Sequence, residues 1–313
     1  MAGTLDGLVI RAQSGFLTVR TDAGDYTCRL RGRLKQGEQE GDRVAVGDRV
    51  TITPEEDGSG VIEQVHERTA EFSRMRSGIK REFRQILLAN PDQIVAVFAC
   101  AEPSPSLRML DRFLVIAEKQ AVEAVVVANK ADLVTPEHAR EIFEIYTQLG
   151  YPVVYTSAHT GQGVAQLREH LKGKLSALTG PSGVGKSSLL NAIQPDLGLQ
   201  VRTVSETTSK GRHTTRVREL FPLDVGGYVA DTPGIRSLAL WDTEPEELDA
   251  YFIEMRDLVS DCQFSDCTHT HEPGCAVLAA VDAGEVARER YNSYLRLRFG
   301  DDSEEFMDEG EFD

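Results

Sequence analysis

The 313 residues are 41% hydrophobic and 27% charged, the balance of a soluble globular chain that fills about two domains, or three small ones. No run of eighteen apolar residues occurs and Met1-Ala-Gly-Thr-Leu-Asp lacks a secretory pattern, so neither a membrane span nor export is expected and a cytoplasmic location is. A net charge of −16 argues against indiscriminate polyanion binding, and five cysteines, three of them between 262 and 275, favour metal over disulfides where thiols stay reduced.

Residues 1–67 read as five short strands: 7–12, 16–20, 26–30, 49–53 and 60–65, divided by Gly and Asp punctuation. Five strands in so short a stretch predict a small Greek-key barrel such as the OB-fold. Arg29, Arg31, Arg33 and Lys35 offer a basic strand and loop to phosphates, while the scarcity of aromatics (Phe16, Tyr26) argues against base-specific stacking. Cys28 reads as core. Residues 68–90 are basic and irregular, a linker or ordered loop. Arg68, Arg74, Arg76, Lys80, Arg81 and Arg84 there face only Glu71 and Glu82.

From residue 91 to 242 the pattern becomes α/β. Apolar runs at 93–99, 124–128, 153–155 and 175–178 alternate with helical patterns at 107–119, 136–149 and 164–171, as in a buried parallel sheet. Asn129-Lys130-Ala131-Asp132 ends the second strand. A carboxylate at Asp132 can accept both the N1–H and the 2-amino hydrogens of guanine, a pattern adenine lacks, and unpaired buried groups penalise the wrong base. Asn129 would orient the loop and Lys130 lie along the ring. Ser157 and Ala158 end the next strand, where a small residue's N–H can meet guanine O6.

Gly180-Pro181-Ser182-Gly183-Val184-Gly185-Lys186-Ser187 then fits G-x-x-x-x-G-K-[ST], followed by Ser188 and a helical pattern. Glycines let the main chain curl around phosphates at a helix N-terminus, Lys186 can reach the β- and γ-phosphates, and the Ser187 hydroxyl can ligate Mg²⁺. Residues 200–217 look like a mobile basic loop, in which Thr215, favoured over Thr214, would meet Mg²⁺ and the γ-phosphate. Asp231-Thr-Pro-Gly234 follows the strand 228–230, so Asp231 would hold Mg²⁺ through water and the Gly234 N–H would bond the γ-phosphate.

Past residue 243 helical patterns bracket Cys262-x₄-Cys267-x-His269-x₅-Cys275, a set suited to one closed tetrahedral Zn²⁺ of structural role. Spacing alone leaves His271 as an alternative to His269. Cys100, at a strand end, reads as core. A terminal helix is expected over 285–298, and residues 300–313 form an acidic tail expected to be disordered.

The guanine motif thus precedes the phosphate loop, the reverse of an ordinary GTPase. With the barrel and the Cys/His cluster, this order resembles the ribosome small subunit-dependent GTPase A family, circularly permuted GTPases, over residues 1 to about 298. The resemblance implies a multidomain chain: an OB-fold barrel (1–67), a basic linker (68–90), a permuted P-loop GTPase domain (91–242) and a mostly helical zinc-binding module (243–299). It also implies GTP/GDP, Mg²⁺ and Zn²⁺ as cofactors, with His269 the zinc ligand. It implies a GTP hydrolase acting in late maturation of the small ribosomal subunit, binding that subunit and its rRNA as a monomer and stimulated by it. Ile235 stands where many GTPases soon place a water-orienting glutamine, so intrinsic turnover is expected to be slow, with His213 the candidate to orient the water.

Overall fold

The computed structural model describes residues 3–13, 15–35, 42–75, 84–199, 218–231 and 243–300. Five strands, β1 (Leu5–Gln13), β2 (Phe16–Thr21), β3 (Gly24–Leu30), β4 (Arg49–Pro54) and β5 (Ser59–Val65), pair in the order β1-β2-β3-β5-β4. Strand β4 returns to β1 and closes the barrel, with β3 and β5 parallel and the other pairs antiparallel. Closure removes the exposed edges that an open five-stranded sheet would leave. Val9, Val19, Cys28, Val50, Ile52 and Ile62 fill its interior. At Gly7 a Cβ would stand 2.5 Å from the Val19 side chain, so the strand can cross there only as glycine.

Residues 68–90 differ from expectation. They are not an irregular linker throughout but supply a hairpin, β6 (Glu71–Met75) with β7 (Arg84–Ala89). Dense charge hides the pattern, yet Phe72, Leu87 and Leu88 are buried in the same cluster as Leu110 and Phe113 of the next domain. The hairpin also ties back to the barrel. Arg68 donates from Nε and Nη2 to the buried Asp48 carboxylate at 2.7 and 2.8 Å. Gly47, at φ +93°, lies so close to Ala89 that a Cβ would meet its carbonyl oxygen at 2.0 Å.

The second layered unit follows the expected alternation. Strands β8 (Gln93–Ala99), β9 (Glu123–Asn129), β10 (Val153–Tyr155), β11 (Leu175–Thr179), β12 (Arg218–Pro222) and β13 (Tyr228–Asp231) order as β10-β9-β8-β11-β13-β12. All pairs are parallel except β12 with β13. All seven residues of β8 are buried, as the centre of a two-sided sheet requires. Successive side chains face opposite layers: Ile94, Ala96 and Phe98 pack with α1 (Leu107–Lys119) and α2 (Pro136–Gln148), whereas Val95 and Val97 pack with α3 (Val164–Leu171) and α4 (Lys186–Ile193). Helix α2 begins where Thr135 accepts a hydrogen bond from His138 N, with Pro136 at the first position. Strand β12 also pairs with β1, Arg11 opposite Glu219 and Ala12 opposite Arg218, so barrel and α/β sheet form one eleven-stranded surface.

The C-terminal module comprises a 3₁₀ segment (Pro245–Tyr251), α5 (Ile253–Arg256), α6 (Ala276–Ala283) and α7 (Arg288–Phe299). Helix α7 starts three residues later than the sequence pattern indicates. Gly284, at φ +76°, ends α6 in the left-handed conformation, and Glu285 and Val286 both donate their N–H to Ala280 O. Val115 of α1 belongs to the module's own core, with Phe252, Tyr294 and Leu295. Beside it Arg290, 1% exposed, donates to Asp111 of α1 at 2.7 Å and to both Glu254 oxygens at 2.6 and 3.1 Å. Among the described residues no helix is long and apolar enough to cross a membrane.

Candidate nucleotide site and metal centre

The C-terminal ends of β9, β10 and β11 carry the motifs read from the sequence to one edge of the sheet, where open α/β folds bind ligands. The loop 180–185 leaves β11 with Gly180 at φ +132°, and a Cβ there would lie 2.0 Å from Val97 O of the neighbouring strand. Gly183 and Gly185 are also left-handed, at φ +80° and +93°. Pro181 and Gly183 are half-buried, Ser182 is exposed, and Val184 is buried in the α3/α4 core. Helix α4 then opens at Lys186, and its first N–H groups lack intrahelical acceptors, the usual anion-binding arrangement. Lys186 folds over the loop, its Nζ donating to Gly180 O at 2.9 Å and Pro181 O at 2.7 Å. Ser187 and Ser188 are half-buried beside it.

Asn129 joins the two motifs. It is 1% exposed; its Nδ2 donates to Val184 O at 2.7 Å, and its Oδ1 accepts from Thr156 Oγ1 at 2.9 Å. The approach is so close that a Cβ on Gly185 would meet Asn129 Nδ2 at 2.6 Å. Lys130, at φ +58°, runs its stem past Gly185 and donates from Nζ to Glu102 O. Its turn is fixed by Ala131 N donating to Thr156 O at 3.0 Å. The Asp132 side chain is 23% exposed, open to a ligand, with His159 Nδ1 4.0 Å from its Oδ2. Ser157 is buried: its N–H donates to Gln162 O at 3.0 Å and its Oγ accepts from Thr160 N at 3.1 Å, which leaves Ala158 half-buried at the rim.

Asp231 ends β13 with its backbone opposite Leu178, beside the start of the 180–187 loop. His213, Thr214, Thr215, Gly234 and Ile235 lie outside the described residues, as do the basic loop 200–217 and the tail from 301.

The Cys/His cluster is brought together by the 262–275 loop. One donor atom each from Cys262, Cys267, His269 and Cys275 lies within 4.8 Å of every other. His269 Nδ1 is 3.3 Å from Cys275 Sγ and 3.6 Å from Cys262 Sγ. His271 instead is exposed and bonded to Thr270, so the cluster takes His269. The loop is independently braced. Glu272 accepts from Thr268 N at 2.8 Å and Thr270 N at 2.9 Å, contacts that hold its carboxyl below the ordinary range despite burial. Tyr291 OH donates to His269 O at 2.6 Å. Burial pushes the Cys267 thiol up to about 12 and raises Cys275 as well. A divalent cation would reverse this by deprotonating coordinating thiols, and three sulfurs with one imidazole nitrogen at these separations fit such an ion. Cys28 and Cys100 are buried elsewhere.

Residues 65–241 match the RsgA GTPase family and residues 6–62 the RsgA N-terminal domain. The chain belongs to the RsgA GTPase family. A relative from Gemmatimonas aurantiaca called Small ribosomal subunit biogenesis GTPase RsgA is 46% identical, over 95% of this chain and 98% of its own. One of the same name from Moorella thermoacetica is 46% identical over 93% and 95%. Among solved structures, YjeQ from Thermotoga maritima superposes with a TM-score of 0.77 at 43% identity, over 95% of this chain and 98% of that one. YloQ, described as a circularly permuted GTPase, gives 0.73 at 34% identity over 95% and 94%.

As a member of the RsgA GTPase family the chain is a GTP hydrolase with a permuted domain: β9 and its Asn-Lys-x-Asp turn come first, and the G-x-x-x-x-G-K-[ST] loop follows β11. Sequence reasoning named Thr156 with Ser157 and Ala158 at the strand end but missed that it orients the Asn129 amide, and it missed Glu102, which receives Lys130. A short polar residue after a strand carries no signal of its own, and a backbone carbonyl carries none at all.

Proposed function

We propose that this RsgA-family GTPase acts on the small ribosomal subunit late in its maturation, hydrolysing GTP to GDP and phosphate with turnover stimulated by that subunit. The observation that carries the reading is the 2.7 Å hydrogen bond from Asn129 to Val184 O, which locks a guanine-selecting loop onto a phosphate-binding loop. The relatives' name supports the ribosomal setting.

In this reading Asp132 selects guanine, with Asn129, Lys130, Ser157 and Ala158 framing the base. The 180–188 backbone and Lys186 hold the phosphates. Ser187, Thr215 and Asp231 would hold Mg²⁺, which neutralises developing phosphate charge. The Gly234 N–H meets the γ-phosphate and His213 orients water, because Ile235 offers no polar group for that task. Cys262, Cys267, His269 and Cys275 hold one structural Zn²⁺. The chain works in the cytoplasm as a monomer, and its basic residues from Arg29 to Lys35 and from Arg74 to Arg81 meet rRNA with strong salt dependence, whereas Arg68 and Arg84 are engaged by Asp48 and Glu71. The barrel ends near residue 67 and the zinc module begins near 243.

The test is phosphate release measured alone and with purified small subunits, large subunits and intact ribosomes. Stimulation confined to small subunits is the expected result. Equal turnover in all four conditions would overturn the proposal, and unchanged stimulation in His213→Ala would remove His213 from it.

A further inference from the structure

One buried carboxylate near the metal centre is used by neither the nucleotide site nor the cysteine set. Asp249 lies in the 3₁₀ segment Pro245–Tyr251, twenty residues before His269 in the chain, and is 9% exposed. Its Oδ2 is 3.1 Å from His269 Nε2, and the His269 side chain is fully buried. The opposite ring nitrogen, Nδ1, is the one that faces Cys275 and Cys262. A neutral imidazole has one N–H and one lone pair, so the two nitrogens cannot play the same part. A metal among the thiolates needs the lone pair at Nδ1, and a carboxylate at 3.1 Å needs the N–H at Nε2.

We propose that Asp249 is a positioning residue of the metal centre: it fixes His269 in the tautomer and ring orientation that present Nδ1 to the ion, and so sets metal affinity. The proposal rests on the metal reading above. Histidine ligands in general donate their second N–H to an outer acceptor, which locks the ring and raises its basicity. Here that acceptor comes from outside the ligand loop. The loop's backbone is held separately, by Glu272 on the amides of Thr268 and Thr270 and by Tyr291 on the carbonyl of His269. Loss of the Asp249 carboxylate therefore frees the ring and leaves a buried N–H without an acceptor, while the loop path is kept.

Competition for Zn²⁺ against a chromophoric chelator, on the full chain and on Asp249→Ala and Asp249→Asn, tests this, with ¹⁵N spectra of the imidazole nitrogens in the wild type. The wild type is expected to bind one Zn²⁺ with the proton on Nε2. Asp249→Ala should bind about 10–100-fold more weakly, and Asp249→Asn, whose side-chain oxygen still accepts an N–H, should recover part of the loss. Wild-type spectra with the proton on Nδ1, or Zn²⁺ affinity in Asp249→Ala within twofold of wild type, would overturn the proposal. The tautomer measurement stands even if the alanine variant does not fold. A wild-type chain that takes up no Zn²⁺ overturns the metal reading itself.

Discussion

Asn129→Ala is the sharpest perturbation of the nucleotide site, because one side chain there does the joining. The substitution removes two buried hydrogen bonds, to Val184 O at 2.7 Å and from Thr156 Oγ1 at 2.9 Å. A typical bond contributes about 1 kcal/mol net, and a buried carbonyl left without its donor costs about 1–3 kcal/mol. The Thr156 hydroxyl can rotate towards another acceptor, so only the Val184 carbonyl is stranded. The sum is about 2–4 kcal/mol of lost loop placement, or roughly 30–1000-fold in guanine nucleotide affinity. Asn129→Asp should be worse than alanine: it still accepts from Thr156 but sets an anionic oxygen against the Val184 carbonyl. Titration of a fluorescent GDP analogue, with thermal melting in parallel, gives both numbers. Alanine binding within threefold of wild type, or aspartate binding tighter than alanine, would refute the reasoning.

Arg290→Met strands the Asp111 and Glu254 carboxylates beneath the C-terminal module; breaking a buried pair from one side costs about 3–5 kcal/mol. Hydrogen-exchange protection across α7 should fall by roughly two to four orders of magnitude, and a fall under fivefold would contradict that. Burial pushes the Cys28 and Cys100 thiols from 9.0 up to about 11. Since unfolded thiols ionise first, their contribution is intact below pH 9 and lost as pH rises through about 11. The melting temperature should therefore decline between pH 9 and 11, and Cys28→Val with Cys100→Ala should flatten that decline; an unchanged slope in the double variant would count against it. Removing the metal with a strong chelator should abolish exchange protection over residues 262–299 while nucleotide binding persists, because the two sites have separate cores.

Much of this molecule is written locally. The helices 107–119 and 164–171 have the bounds that their periodicity indicates, and the glycines of the phosphate loop declare their conformation in eight consecutive residues. The barrel's five strands are equally legible, because alternation and turn residues act over a few positions. The hairpin at 71–75 and 84–89 was not, since its buried Phe72, Leu87 and Leu88 are diluted among arginines whose partners, such as Asp48, come from elsewhere.

What sequence alone offered was chemical capacity: residue types and spacings suited to cradling a phosphate, selecting guanine or binding a soft divalent ion, since such capacities reside in side-chain type and short spacing. Tertiary structure alone decided who meets whom. Asn129 reaches Val184 across 55 positions, and Arg290 reaches Asp111 across 179. His269 finds Asp249 only when a separate 3₁₀ segment is laid against its loop. Such pairings follow from the packing of sheets and helices around shared cores, and no local pattern encodes a partner that far away.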